Sequence, residues 1–300
     1  MKLYCAVFPI EKMCKVFEVS RSGYYHWLNG KACKRSLENH FLKERITKIH
    51  AESKQRYGSP KITQVLNKET KLASRPRVAR IMKSLNLRSI IKPKFRVTTN
   101  SNHKLPVCDN LLNRDFKAND LGEKWVSDIT YMWTKEGWLY LTAIIDLADR
   151  KAIGWSLSDT MTAESTVIPA WNKAVKNRSI KPGLIFHSDR GIQYACNAFK
   201  SQIDKYKNIQ INCSMSRKGN CWDNAVAESF FKILKSEIGY NVKFETRKQA
   251  SLAIFEFIEI WYNRKRIHAS LGYKTPIEME NEFVNKRSLS KNKELTSLMV

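Results

Sequence analysis

Three acidic residues, Asp128, Asp189 and Glu228, are the strongest candidates for chemistry in this 300-residue sequence. Asp128 lies inside the apolar stretch VSDITYMWT, where a carboxylate is costly unless it is at an edge, hydrogen-bonded or bound to a cation. Asp189 ends the apolar segment LIFHSD, and α/β sheets gather functional groups at the carboxyl ends of strands. Two aspartates on neighbouring strands and one acid from a packed helix would form an oxygen-rich pocket suited to Mg²⁺ or Mn²⁺.

The segment CWDNAVAESFFKILKSE offers three acids for the helix position, and helix geometry separates them. At about 100° per residue, Lys232 lies about 40° from Glu228 and Lys235 about 20° to its other side, which gives one polar stripe. Glu237 lies roughly 180° from Glu228, which predicts a surface charge. Asp223 precedes the helix, at a favoured N-cap position. We therefore favour Glu228 as the metal ligand, with routine pairing of Glu228 and Lys232 as the alternative.

The lysines of this stripe fit a metal site that handles DNA. Carboxylates that hold cations do not repel phosphate, because the cations dominate the local charge. Lys232 and Lys235 could then contact the DNA backbone beyond the metal. We add two residues of the preceding loop, Arg217 and Lys218, to the candidate DNA contacts.

Other catalytic arrangements find less support. His187, Ser188 and Asp189 have the residue types of a catalytic triad, but strand neighbours alternate faces and cannot form the relay. The six histidines lack partners at zinc spacing, and the sequence has no P-loop for ATP. Asp146 and Asp149 follow an apolar strand and are interpreted as turn or capping residues.

The charge of the chain indicates a polyanionic partner. The sequence has 53 Lys and Arg against 28 Asp and Glu, a net charge of +25, which favours nucleic acid over a membrane surface. The basic excess is concentrated in residues 31–104, whereas the acids gather in the second half. Charge alone does not choose a role, because ribosomal proteins share it.

The cysteines and the hydropathy pattern indicate a cytoplasmic protein. The seven cysteines are odd in number and never form CxxC, which predicts reduced thiols without a disulfide framework or zinc site. No apolar run approaches the length of a membrane span, and the N-terminal stretch has no secretory cleavage pattern.

The N-terminal part, residues 1–88, is predicted to be a helical DNA-binding region. Its first thirty residues predict a helix, a turn and a helix, either an ordinary hairpin with an aromatic core or a helix-turn-helix that directs four side chains at DNA: Arg21, Tyr24, Tyr25 and His26. Two further short helices are predicted between residues 57 and 87, with Pro76 near the start of the second. That second helix has an apolar stripe and a set of basic residues, which we expect to contact DNA: Arg75, Arg77, Arg80 and Lys83.

Three regions are predicted to follow: a basic, proline-punctuated linker (89–122), a catalytic core (123–283) and a tail (284–300). In the core, KWVSDITYMWT, GWLYLTAIIDLA and AIGWSLSDT predict three strands of an antiparallel meander. Helices and short strands then alternate, beginning with a helix that Thr162 is expected to cap. The segment TRKQASLAIFEFIEIWYNR predicts a helix that is packed or in a subunit interface. This order predicts an α/β fold with a mixed sheet flanked by helices.

Five ordered motifs together resemble the second-frame transposase of bacterial insertion sequences of the IS-three family: KWVSDITYM, IIDLADR, FHSDRGIQY, CSMSRKGNCWDNAVAESFFKILKSE and WYNRKRIHASLGYKTPIEME. The segments RSGYYHWL and RYGSPKITQVLN resemble the N-terminal helical region of that family, so the resemblance covers nearly the whole chain. It implies an integrase-type catalytic core with a ribonuclease-H-like fold.

The resemblance also implies a DDE polynucleotidyl transferase whose acidic triad falls on Asp128, Asp189 and Glu228. The separations are 61 and 39 residues; the second is longer than usual in the family, and we place the extra residues in 204–212. The implied cofactor is Mg²⁺ or Mn²⁺, as two ions that activate water or a DNA 3′-hydroxyl and stabilise the leaving oxygen. DNA cleavage and strand transfer by this route need no ATP.

The implied partners are terminal-repeat and target DNA, an upstream-frame helix-turn-helix protein or its fusion, and further copies of the chain on DNA. Two alternatives remain: an inactive or domesticated DNA-binding regulator, and a ribonuclease-H-like nuclease that only hydrolyses. The intact triad argues against the first. The basic N-terminal third favours a DNA enzyme over the second without excluding it.

Overall fold

The computed structural model describes residues 1–29, 34–69, 73–90, 106–239 and 242–297. The chain divides into two compact units between Ser89 and Ile90. Residues 91–105 of the predicted linker lie outside the described residues. Leu112 and Leu121, from the described end of that linker, are buried within the second unit. The finer division into linker, core and tail stays a prediction.

The first unit is helical, as predicted, and its described residues form a short 3₁₀ turn (Lys2–Tyr4) and five helices: α1 (Ile10–Val16), α2 (Arg21–Asn29), α3 (Lys34–Glu52), α4 (Ser59–Glu69) and α5 (Arg75–Ser84). Pro76 lies in the first turn of α5, where a proline costs no helical hydrogen bond. The apolar stripe of α5 (Val78, Ile81 and Met82) is buried where α5 packs against α3 and α4. Burial of this stripe leaves Arg75, Arg80 and Lys83 exposed on the outer face of α5.

The hairpin of α1 and α2 corrects one expectation. Tyr24, predicted to face DNA, is 6% exposed, and its ring contacts those of Tyr25 and Trp27. Tyr25 and His26 are exposed. The aromatic-core interpretation therefore holds for Tyr24, because an aromatic ring gains more from burial between two helices than from solvent exposure.

The second unit contains a five-stranded mixed sheet of strands β1 (Lys124–Thr134), β2 (Gly137–Asp146), β3 (Ala152–Ser158), β4 (Ile185–Ser188) and β5 (Asn212–Met215). Their order is β3-β2-β1-β4-β5. The first three strands pair antiparallel, which confirms the predicted meander, and β4 and β5 add to β1 in parallel. This order and these directions are those of the ribonuclease-H-like fold, as the resemblance implied.

One face of the sheet packs against α6 (Val167–Asn177), α7 (Ile192–Ala195) and α8 (Asn197–Asp204). The core on this face is rich in aromatic rings, and Trp171 of α6 contacts the rings of Trp125 and Phe186 edge-on. Thr162 does not cap α6: its hydroxyl accepts the N–H of Ser165 in the turn that precedes the helix. The turn intervenes because α6 begins five residues later than Thr162, at Val167.

The opposite face packs against α9 (Ala225–Leu234) and α10 (Arg247–Phe255), both of which contact β1 and β2. Each helix continues into a π-helical segment, Lys235–Gly239 after α9 and Glu256–Tyr262 after α10. Phe230 of α9 contacts Tyr262 with ring centroids 4.8 Å apart. The segment around α10 is thus packed within the chain, which is one of the two predicted alternatives, the other being a subunit interface. The last helix, α11 (Pro276–Ser297), extends across the predicted boundary at 284.

An ion-pair cluster fastens α11 to the sheet. Asp146 and Asp149 are fully buried, although each also accepts a main-chain N–H in its turn, as predicted. Arg178, which follows α6, donates to Asp146 Oδ2 at 3.0 Å, to Asp149 Oδ2 at 2.7 Å and to Glu280 Oε1 of α11 at 2.9 Å. The interpretation of Asp146 and Asp149 as turn residues was therefore incomplete. Their partner Arg178 lies 29 or more residues further along the chain, too far for the pattern of neighbouring residues to indicate it.

Candidate active site

The pairing of β1 with β4 brings the two predicted aspartates together. The parallel register runs from Lys124 and Ile185 to Val126 and His187. Asp128 and Asp189 each follow the last paired residue of this register by two positions, and the charge of Asp189 acts on Asp128. Asp189 directly follows β4, and its Oδ1 accepts the N–H of Gly191 at 3.0 Å. The tertiary structure thus joins two acids that are 61 residues apart in the sequence.

Helix α9 brings the third acid to the same region. Glu228 lies in the first turn of α9, and α9 packs against β1. Just before the helix, Asn224 Nδ2 donates to the carbonyl oxygen of Ser127 at 2.9 Å. Ser127 is the neighbour of Asp128, so this hydrogen bond fixes the start of the Glu228 helix beside the strand of Asp128. Glu228 itself is exposed.

The surroundings of Asp128 and Glu228 disfavour the ionised forms of these two carboxylates. Burial raises the pKa of Asp128 well above its ordinary range, and the negative charges of Asp189 and Glu228 raise it further. Partial desolvation also raises the pKa of Glu228. Burial lowers the pKa of Lys235, although the charge of Asp128 partly counteracts this effect. Carboxylates that repel one another in a partly desolvated site are relieved when a cation binds between them.

The donor set suits a hard divalent cation, but the side chains are not arranged around one. Carboxylate oxygens are the donors that Mg²⁺ and Mn²⁺ prefer. Within the described part of the chain, no three His, Cys, Asp or Glu side chains converge closely enough to hold an ion. Closing the site therefore requires a movement, and the exposed side chain of Glu228 has the freedom to make it.

Lys235 lies beside the acidic cluster. Its Nζ is 5.0 Å from the centroid of the Tyr131 ring, which is a cation–π contact, and its charge acts on Asp128. Lys232, one turn earlier, is exposed. The predicted polar stripe of Glu228, Lys232 and Lys235 thus runs from the acidic cluster towards Tyr131.

Asp223 is not the N-cap that the sequence predicted. The residue before α9 is Asn224, and no side chain caps the helix. Asp223 lies in a 3₁₀ turn (Cys221–Asn224), with a side chain that has no solvent exposure. Arg114 Nε and Arg217 Nη2 each donate to its Oδ1 at 2.8 Å. The two guanidiniums offer charge-assisted hydrogen bonds, which are stronger than the single neutral bond that an N-cap would provide.

Glu237 faces away from Glu228, but it is not a surface charge. Its side chain is 9% exposed, its Oε2 accepts the indole N–H of Trp261 at 2.8 Å, and Arg266 Nε lies 3.6 Å from its Oε1. Two features of the tertiary structure explain why the prediction of a surface charge was wrong. The α-helical spacing ends at Leu234, and the second helical segment covers the side of the chain that an isolated helix would leave in solvent.

His187 has a structural place beside the catalytic candidates. Its Nδ1 lies 2.8 Å from Ser214 Oγ and its Nε2 3.2 Å from Ser216 Oγ. Burial lowers the pKa of His187 to about 4, so the ring is neutral near pH 7. A neutral imidazole held between two serine hydroxyls agrees with the prediction that HSD forms no catalytic relay.

Some of the predicted DNA-contacting side chains are exposed, whereas others form ion pairs or hydrogen bonds within the chain. In α5, Arg75 and Arg80 are exposed, whereas Arg77 donates to Glu38 Oε2 and Asn39 Oδ1, both at 3.0 Å. Arg21 lies 4.0 Å from Glu11 in an exposed pair. In the loop before α9, Lys218 is exposed, but Arg217 is bound to Asp223. Ion pairing with acids of the same chain reduces what Arg77 and Arg217 can give to phosphate.

Comparison with known protein families defines the class. The chain matches the integrase core domain over residues 118–221, and a second model of the integrase core domain over residues 209–276. Residues 36–95 match an HTH-like domain, which spans α3 to α5. The fold and these matches define a DNA-recombining protein with a helical HTH-like region and an integrase core.

Curated relatives identify the family. The chain is 41% identical over 271 residues to the insertion element IS600 uncharacterized 31 kDa protein of Shigella sonnei, covering 90% of this chain and 98% of the relative. It is 37% identical over 280 residues to the transposase InsF for insertion sequence IS3A of Escherichia coli (strain K12), covering 92% and 96%. The chain therefore belongs to the IS3 family of insertion-sequence transposases, and its function is DNA transposition.

Solved integrase structures show lower similarity. The integrase catalytic core domain of HTLV-2, in complex with magnesium, has 16% sequence identity and a TM-score of 0.39, covering 55% of this chain and 99% of that chain. The catalytic core domain of BIV integrase has 21% identity and a TM-score of 0.40, covering 56% and 99%.

Among the described residues, no helix is long and apolar enough to cross a membrane.

Proposed function

We propose that this transposase is a DDE polynucleotidyl transferase that cleaves insertion-sequence DNA ends and joins them to target DNA, with Asp128, Asp189 and Glu228 as metal ligands. The observation that carries the proposal is the meeting of Asp128 and Asp189 across β1 and β4, beside the helix of Glu228. Three acids from two strands and a packed helix, with mutually unfavourable charges, have little structural value without a cation. Asp223, Asp146 and Asp149 each form an ion pair with an arginine, which gives those carboxylates a structural role.

The proposed cofactor is Mg²⁺ or Mn²⁺, as two ions. When bound, the ions would activate a water or a DNA 3′-hydroxyl and stabilise the leaving 3′-oxygen. The protein side of the reaction is the placement of the carboxylates. Because the pKa of Asp128 is raised, this residue must release a proton to become a ligand, and metal binding should therefore weaken as the pH falls.

The lysines beside the acids are proposed to position the DNA backbone. Lys232 is exposed and Lys235 lies on Tyr131, so the two offer charge along the same side of the α9 segment as Glu228. Lys218 lies in the loop that leads to α9. In the first unit, Arg21, Arg75 and Arg80 are proposed DNA contacts, with smaller contributions from Arg77 and Arg217 because acids already engage them.

The proposed partners follow from the same activity. They are the terminal repeats of the element, target DNA, an upstream-frame helix-turn-helix protein or its fusion with this chain, and further copies of the chain assembled on DNA. The place of action would be the bacterial cytoplasm, where this DNA lies. A protein with 53 basic residues has the charge to hold several DNA segments, and this charge supports the proposed assembly.

The test is a cleavage and joining assay with duplex DNA that carries the terminal repeats of the element, in Mg²⁺. The assay uses the full chain, with and without fusion to the upstream frame. Asp128→Asn, Asp189→Asn and Glu228→Gln should each abolish both cleavage and joining. Glu237→Gln is the matched control, because it neutralises a carboxylate nine residues further along that contacts Trp261 and Arg266.

Loss of cleavage and joining with Glu237→Gln but not with Glu228→Gln would overturn the assignment of the third acid. Cleavage by the wild type without any joining, at all target DNA concentrations, would favour a nuclease that only hydrolyses. Terminal-repeat binding without cleavage in either form of the protein would indicate a regulator.

A further inference from the structure

The loop that joins β5 to α9, residues 216–224, makes hydrogen bonds that the proposed metal-binding and DNA-binding roles do not explain. Its sequence is SRKGNCWDN, and it ends one residue before the helix of Glu228 begins. The predicted roles for this loop were DNA contacts at Arg217 and Lys218 and an N-cap at Asp223. The structure instead gives Asp223 and Asn224 contacts that connect the loop to other parts of the second unit.

Asp223 is the centre of the first connection. Arg217 closes the loop on it, through its main-chain N–H at 3.0 Å and its Nε at 2.9 Å, both to Asp223 Oδ2. Arg114 and Asn110 reach it from the segment before β1, with Arg114 Nε at 2.8 Å from Oδ1 and Asn110 Nδ2 at 2.9 Å from Oδ2. All lone-pair directions of a fully buried carboxylate are thus used within the protein.

The segment that supplies Arg114 and Asn110 is itself held against β5. Met215 N donates to the Asp109 carbonyl oxygen at 3.3 Å, and Leu112 N donates to Ser214 Oγ at 3.1 Å. Asp223 therefore connects the loop to a segment that follows the edge of the sheet. Hydrogen bonds from arginine hold the pKa of Asp223 well below its usual range, so the carboxylate is charged at any pH at which the protein would work.

Asn224 makes the second connection. It is buried, and its Nδ2 donates at 2.9 Å to the carbonyl oxygen of Ser127, the residue before Asp128. Glu228 follows Asn224 by four residues, about one helical turn. The hydrogen bond therefore sets the distance between the strand that carries the first acid and the helix that carries the third.

We propose that Asp223 and Asn224 are positioning residues, which form a two-point clamp that holds the first turn of α9 so that Glu228 can close on a metal ion beside Asp128 and Asp189. This inference rests on the proposed function. The side chain of Glu228 is exposed and must move to complete the site, so its backbone must be held in place while it does. The clamp holds that backbone. Neither residue contacts the metal or the DNA in this role.

The test measures metal affinity directly, by calorimetric titration of the full chain with Mn²⁺, alone and bound to terminal-repeat duplex. Glu228→Gln identifies the contribution of the third ligand. Asp223→Asn and Asn224→Ala should each weaken Mn²⁺ binding by about 10- to 100-fold, the usual effect of removing a residue that orients a metal ligand. Duplex affinity without metal should stay within about twofold, because the proposed phosphate contacts are untouched.

The matched control is Glu237→Gln, a second substitution of a buried, arginine-paired carboxylate in the same helical segment. It should lower the denaturation midpoint as Asp223→Asn does but leave the Mn²⁺ affinity unchanged. A general loss of packing would weaken Mn²⁺ binding in both variants and would overturn the clamp. If Asp223→Asn does not fold, Arg114→Gln replaces it, because Arg114 is half-exposed and its removal opens the connection between the loop and the segment before β1.

A double substitution checks that Asp223 and its partner Arg114 act as a unit. Asp223→Asn combined with Arg114→Gln should weaken Mn²⁺ binding no more than either alone, because both remove one connection. Additive losses would contradict the clamp. Unchanged Mn²⁺ affinity in Asp223→Asn and Asn224→Ala, with a loss in Glu228→Gln, would overturn the clamp and leave the proposed function intact. Equal binding by wild type and Glu228→Gln would overturn both.

Discussion

Two groups of acids in the second unit have opposite surroundings. Asp128, Asp189 and Glu228 lie in one region, where burial and repulsion by the charges of Asp189 and Glu228 raise the pKa of Asp128. Asp146, Asp149 and Glu280 meet at Arg178, with donor–acceptor distances of 2.7 to 3.0 Å. The first group lies where β1, β4 and α9 meet, and the second joins the end of α6 to α11.

The difference shows how the same residue type serves two purposes. A carboxylate with an arginine partner gains attraction that offsets part of its desolvation, and so it can hold two elements together, although burial still raises the pKa of Asp146 and raises that of Asp149 to about 6. A carboxylate that is repelled by other carboxylates, as Asp128 is by Asp189 and Glu228, is stabilised when a cation binds between them. The sequence uses acids sparingly, 28 in 300 residues, which makes it informative that three of them lie near enough for the charges of Asp189 and Glu228 to act on Asp128.

The largest expected effect comes from substituting Asp128, which should lower activity without lowering stability. Asp128→Asn should reduce cleavage and joining by roughly 10⁴-fold, as removal of a central catalytic group does. It should not reduce stability at pH 7, and we expect a gain on the order of 1 kcal/mol, because the ionised Asp128 is disfavoured in the fold. Denaturant titration beside the strand-transfer assay checks both. A clear loss of stability would show that Asp128 holds the fold together, contrary to the comparison.

The next effect concerns the second group. Arg178→Gln should lower the free energy of unfolding by about 3–5 kcal/mol, because it leaves buried carboxylates without their cation. The matched control is Arg287→Gln, which removes an arginine from Asp120 at a site where Arg287 is 42% exposed. That control should cost about 1 kcal/mol or less. Similar losses for the two variants, measured by chemical denaturation, would mean that burial does not distinguish these ion pairs.

The smallest effect is a pH dependence. Burial alone would raise the pKa of Asp120, but hydrogen bonds from Arg287 and Lys181 lower it to about 2. Because this folded pKa lies below the unfolded value of about 3.9, the stabilisation is complete above pH 4 and is lost as the pH falls towards 2.

Asp120→Asn should therefore flatten the decline in stability between pH 4 and 2 by on the order of 1 kcal/mol, since part of the site is solvent-screened. Thermal denaturation across this pH range measures the difference between variant and wild type. Asp128→Asn should not flatten it, because a raised pKa acts above this range. Parallel curves for Asp120→Asn and wild type would refute the ion-pair role of Asp120.

The sequence predicted the elements of the sheet well, because period-two apolar runs such as VSDITYMWT have a local cause. It predicted Asp128, Asp189 and Glu228 as a group from strand ends and a helical stripe, and the tertiary structure brings the three near one another. It did not predict the partners of Asp223, Glu237, Asp146 or Asp149. Those partners lie up to 113 residues away, too far for the pattern of neighbouring residues to indicate them.

The sequence by itself determined the alternation of strands and helices, the basic character of the first unit and the choice of three acids as candidate metal ligands. Each of these depends on residue type and spacing within one element. Only the tertiary structure decided which acids receive an arginine, because ion pairs form between elements that folding brings together. It also decided that the clamp of Asp223 and Asn224 lies beside Glu228, since the carbonyl of Ser127 and the guanidinium of Arg114 come from distant segments.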